Sequence, residues 1–106
     1  MNNQKIDLIL DKLIEQTESG KLNWKETSNE DTYLLTLKDS SISLRKLSPI
    51  AFICEFRNSN GEIVESVTNW SSDSNPQQLE QLFNVINRKS LRTEKIIDNI
   101  LEQLVA

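Results

Sequence analysis

Residues 50–67, IAFICEFRNSNGEIVESV, alternate in a way that leaves few folds open. Ile50, Phe52, Cys54 and Phe56 occupy every second position, polar residues lead into Gly61, and Ile63 and Val67 resume the alternation. A strand turns successive side chains to opposite faces, so this pattern predicts a hairpin with one face buried. With Asn58 to Gly61 as the loop, Phe56 faces Ile63, Cys54 faces Glu65, Phe52 faces Val67, and Arg57 meets Glu62 on the polar side. A loop shorter by one residue would set Phe56 against Val64, and such a slip sends a whole row to the wrong face. Gly61 suits either loop, because the last turn position usually needs positive φ.

The flanking sequence supplies more strands and the helices to cover them. Ile6, Ile9, Leu10, Leu13 and Ile14 recur at helical spacing over residues 5–18, and Ser19-Gly20 is a stop signal. Leu22 and Trp24 then alternate, as do Tyr33, Leu35 and Leu37 after the polar stretch 28–31. If 38–41 turn, Leu37 faces Ile42 and Leu35 faces Leu44, and the segment ending in Pro49 should break the strand before the central hairpin. Asn75 reads as a cap with Pro76 at the first helical position, opening a helix whose buried stripe is Leu79, Leu82, Phe83 and Ile86. Thr93-Glu94 opens a last helix with Ile97, Ile100, Leu101 and Leu104 as its stripe, and residues 90–92 are either a break or a kink. Short connections between strands favour an antiparallel meander. The expected fold is therefore α+β, a single domain over 1–106: a five-stranded antiparallel β-meander with the N-terminal helix and two C-terminal helices packed on one face. The other face is mostly polar but carries Leu34, Ile53 and Val64.

At 106 residues the chain can bury roughly two-thirds of its unfolded surface and needs no staples. Its one cysteine, Cys54, reads as a small core hydrophobe. The absence of histidine removes the commonest general base, the commonest zinc ligand and every Ser-His or Cys-His nucleophile pair. The only glycines, Gly20 and Gly61, answer local backbone needs, so no phosphate-cradling loop is present. Asp73 lies in an oxygen-rich stretch that reads as a solvated loop rather than a metal site. Glu30, Asp31, Glu55 and Glu65 could form carboxylate pairs in space. Of these, Glu65 alternates inward, where it lies at the sheet margin or pairs with a lysine unless it serves catalysis. These readings point to a non-enzymatic protein with no cofactor and no metal. The N-terminus lacks a signal pattern and no apolar run is long enough to span a bilayer, so a cytoplasmic location is expected.

Surface chemistry is the remaining source of function. Asp7, Asp11, Glu15 and Glu18 line one side of the first helix, and Glu94, Asp98 and Glu102 repeat every fourth residue on the last. Such stripes either keep a small protein solvated or offer an acidic face to a basic partner. The net charge of −4 disfavours direct nucleic-acid binding, and the basic cluster Arg88, Lys89, Arg92 and Lys95 lacks interleaved aromatics. Trp70 stands in a polar stretch, where it either folds back onto a helix or anchors another protein.

The segments 19–27 (SGKLNWKET), Asn60-Gly61-Glu62, Arg88-Lys89-Ser90-Leu91 and 97–101 (IDNIL) resemble those of a set of short uncharacterised bacterial proteins with a helix, a β-meander and C-terminal helices. The resemblance implies that architecture and no activity. In size, acidity and lack of catalytic equipment the chain is similar in type to immunity proteins and phage-encoded inhibitors of bacterial defence. The expected function is thus a protein-interaction module, of the inhibitor or immunity kind, that binds a basic protein through the acidic helices and Trp70. The alternatives are a small-molecule or nucleotide binder with a pocket between helices and sheet, and a phage-encoded defence inhibitor that mimics nucleic acid.

Overall fold

The structure is a computed structural model and describes the backbone of residues 3–29, 31–70, 76–90 and 93–105. The α+β fold is as expected. Helix α1 (Asn3–Glu18) precedes an antiparallel sheet of β1 (Lys25–Glu26), β2 (Thr32–Thr36), β3 (Ser41–Ser48), β4 (Ala51–Arg57) and β5 (Ile63–Thr68), and α2 (Pro76–Ser90) and α3 (Thr93–Val105) follow. The strands lie in chain order, β1-β2-β3-β4-β5. The expected cap Asn75, the Asp73 stretch, Glu30 and the junction residues Leu91 and Arg92 lie outside the described residues.

Helix α1 ends because Gly20, at φ +80°, takes the left-handed conformation that lets Lys21 N–H donate to Gln16 C=O (2.9 Å) and Gly20 N–H to Thr17 C=O (3.1 Å). That closure satisfies the last helical carbonyls and turns the chain back towards the sheet. Trp24 then packs under α1, its indole Nε1–H donating to Thr17 Oγ1 at 3.0 Å. This bond holds residues 22–24 on the helix rather than on the ladder. The first strand is consequently shorter than the alternation predicts, pairing only Lys25 with Leu34 and Glu26 with Tyr33.

Both hairpins differ from their expected register, by two residues everywhere except at Arg57. In β2–β3, Leu35 pairs with Ile42 and Tyr33 with Leu44, because the turn is 37–40, closed by Leu37 N–H donating to Ser40 C=O (2.9 Å). In β4–β5, Cys54 pairs with Val67 and Phe56 with Glu65, rather than Cys54 with Glu65 and Phe56 with Ile63. Asn58 organises that turn: its Oδ1 accepts from Asn60 N–H and Glu62 N–H, each at 3.0 Å, and its Nδ2 donates to Glu62 Oε1 at 3.2 Å. Glu62 is thereby drawn into the loop, Arg57 pairs with Ile63, and the ladder shifts beside that pair. Ile63 is exposed as a result, and Ile50, expected on the inward row, sits in the β3–β4 turn at 82% exposure. Strand β3 runs on to Ser48 with an irregularity between Lys46 and Ser48, not breaking at Lys46 as the sequence suggests.

The core lies between the sheet and two helices. Leu10, Leu13 and Ile14 of α1 and Leu79, Leu82, Phe83 and Ile86 of α2 meet Tyr33, Leu35, Ile42, Leu44, Phe52 and Cys54 of the sheet. Phe83 is tilted against both Tyr33 and Phe52 at centroid distances of 5.5 and 5.3 Å. Gln78 Nε2 donates to Asp7 C=O (3.1 Å) and Asp11 Oδ1 (2.8 Å), while Ile86 and Lys89 line a cavity with Thr17. The two helices therefore run side by side in the same direction.

Helix α3 departs from the expectation that its stripe covers the sheet. Ile96, Ile97, Ile100, Leu101, Leu104 and Val105 are between 51% and 78% exposed. A helical period reveals that a helix has an apolar side, not which surface meets it. The molecule measures 56 × 29 × 25 Å with a radius of gyration of 15.4 Å, against about 13 Å for a compact chain of this length. The projecting α3 accounts for the excess.

Candidate interaction surface

The acidic line of α1 is exposed along its whole length at Asp7, Asp11, Glu15 and Glu18. Asp11 is nevertheless part of the α1–α2 contact through Gln78, and Glu15 lies 3.8 Å from Lys12 in an exposed pair. Pairs of this kind contribute little to stability, so the line remains available to a partner. Asp98 and Glu102 are exposed on α3, a separate element, and the Glu94 side chain lies outside the described residues. The two acidic stripes thus sit on different helices.

Trp70 does not fold back onto a helix but is 59% exposed. Its neighbour Asn69 fixes the chain there: Oδ1 accepts from Phe52 N–H (2.9 Å) and Nδ2 donates to Ile50 C=O (2.7 Å). An indole on a pinned backbone is a low-entropy contact residue. Sequence reasoning missed Asn69, whose only local signal was a short polar residue at a strand end.

Two further surfaces are apolar. One is the α3 stripe. The other is a groove of about 680 Å³ between α1 and the sheet end that carries the β2–β3 and β4–β5 turns. Leu8, Ile9 and Lys12 form its helix wall, and Leu37, Phe56 and Val64 line the sheet side. Helix α2 takes no part in it, so α1 lies between α2 and the groove. The groove was not legible because alternation assigns Leu37 and Phe56 to the covered row and Val64 to the opposite face, while Leu8 belongs to no stripe.

Among the described residues no three cysteine, aspartate or glutamate side chains gather to suit a metal. Cys54 is fully buried, and desolvation, aided by the nearby Glu55 charge, pushes its thiol up to about 12. Such a thiol is inert rather than nucleophilic. Glu65 lies half-buried on the edge strand, where its Oε1 accepts from Ser66 N–H at 3.1 Å. On the sheet's outer face Arg57 donates to Ser43 Oγ (2.9 Å) and pairs with Glu55 (3.5 Å), a structural clasp. No described helix is long and apolar enough to cross a membrane. No protein-family model, curated protein or solved structure gives a significant match to the chain.

Proposed function

We propose that this protein is a non-enzymatic protein-interaction module. The observation that carries the reading is α3, a helix of 13 residues with six exposed aliphatic side chains along its length. An isolated helix that short is marginal in water, and apolar surface of this extent needs a covering surface. The acidic line Asp7, Glu15 and Glu18 suits a basic partner, and Trp70 suits the centre of a contact. Inhibition by occlusion, as in immunity proteins, is the simplest action open to such a module.

Three immobilised proteins test this: wild type, Asp7→Lys with Glu15→Lys and Glu18→Lys, and Ile100→Asp with Leu104→Asp. The expected result is a basic protein retained from the source cell by the wild type and lost from at least one variant. Identical capture by all three would overturn the reading. A second reading, a small-molecule binder, is favoured by the groove between α1 and the sheet. Its apolar lining suits a hydrocarbon-rich ligand better than a nucleotide. A ligand at a hundred times its dissociation constant would add about 2.7 kcal/mol, visible as a thermal shift.

A further inference from the structure

The exposed helix and the open groove are matched features of one chain. The helix layer is incomplete: α2 covers the sheet around Phe52, α1 lies beside it, and the groove occupies the next position over Leu37, Phe56 and Val64. Packed helices lie about 8–10 Å apart, so the groove axis is roughly 16–20 Å from α2. Only Leu91 and Arg92 separate α2 from α3. Ser90 to Thr93 spans at most about 11 Å when fully extended, since neighbouring Cα atoms are about 3.8 Å apart. Helix α3 cannot reach its own groove to lie along it.

We propose that α3 docks lengthwise in the α1–sheet groove of a second copy of this chain, each copy giving its helix to the other. The proposal rests on the reading of α3 as an interaction element and names its partner. At 100° per residue, the side chains from Ile96 to Val105 spread over about 180° of the helix, wider than the ~100° a helix needs to lie on a flat surface. That width suits a groove with a helix on one wall and a sheet on the other. Six aliphatic side chains, each more than half exposed, make a patch on the order of 600 Å², the upper end of what monomers display. Two reciprocal helix–groove contacts bury on the order of 2,000 Å² counting both partners, enough for the about 1,200–2,000 Å² of a stable interface. The polar side of α3 bears Asp98 and Glu102, which argues against an anionic lipid surface as the covering partner. On the groove wall Lys12 offers these acids a cation.

Sedimentation or light scattering on the full chain tests the proposal, with twice 12.2 kDa as the expected mass. Ile100→Asp with Leu104→Asp should raise the dimer dissociation constant at least about a hundredfold. Leu37→Asp with Val64→Asp, at exposed groove positions that the core does not need, should do the same. The deciding experiment mixes the two variants. Each retains the half that the other lacks, so the mixture should form heterodimers through one intact helix–groove contact while each alone stays monomeric. A wild type monomeric at about 100 µM overturns the proposal, since a standard-size interface holds well below that concentration. A groove variant that stays dimeric while the helix variant dissociates also overturns it, because α3 then pairs with α3. A monomer that still captures a basic protein through α3 leaves the interaction module standing and removes the second copy as its partner. A dimer that captures nothing does the reverse.

Discussion

Helices α2 and α3 are written in the same code and used in opposite ways. Leu79, Leu82, Phe83 and Ile86 recur as Ile97, Ile100, Leu101 and Leu104 do, yet the first set is almost fully buried and the second is exposed. The difference lies in what the sheet leaves uncovered. Helix α2 meets Tyr33 and Phe52 through Phe83, whereas the stripe of α3 stands exposed. An amphipathic period therefore states a demand for cover, and topology decides whether the same chain can meet it.

The sharpest way to break this comparison is to truncate one residue in each helix. Leu82→Ala, at 0% exposure, should destabilise the fold by about 2–5 kcal/mol in urea titrations, because a close-packed site cannot collapse onto the missing atoms. Leu101→Ala in dilute protein should change stability by no more than about 0.5 kcal/mol. Equal losses would mean that α3 belongs to the core.

Alkaline titration probes the covered side alone. Cys54 has a thiol raised from 9.0 to about 12, so the folded state holds its proton where the unfolded state has lost it. Its contribution to stability is complete below pH 9 and falls as pH rises towards 12, by up to about 1.4 kcal/mol per pH unit. The stability difference between wild type and Cys54→Ala should shift in that direction over that range, and native protein should resist alkylation that unfolded protein undergoes. Next in size, Thr17→Val strands the buried Trp24 indole N–H and should cost about 1–3 kcal/mol, read from the urea midpoint. Smallest in energy is amide exchange. At high dilution α3 amides should exchange with opening energies of about 1 kcal/mol or less while those of α2 approach global stability, and concentrating the protein should slow α3 selectively.

The inward rows at Phe52, Cys54, Leu35 and Ile42 were legible because alternation reports the face a residue takes. Register was not. Along most of both hairpins the pairing lies two residues from the expected partners, and an even slip preserves the face, so the hydrophobic pattern cannot detect it; only at Arg57–Ile63 is the step odd. The side chain of Asn58 and the closure between Leu37 and Ser40 decide the register through hydrogen bonds that leave no periodic trace. The acidic line and Trp70 were readable as surface candidates, since charge and an aromatic in a polar stretch stand out locally. The groove depends on α1 meeting four strands and has no local signature.

The contrast between the two indoles gives the molecule a pair of optical reporters. Trp24 is enclosed beneath α1 and Trp70 stands in water beside the Asn69 stitch, so a dissolved quencher should dim one emitter and spare the other. Any binding event over the β5 end would then announce itself in the red-shifted part of the spectrum, with no dye attached.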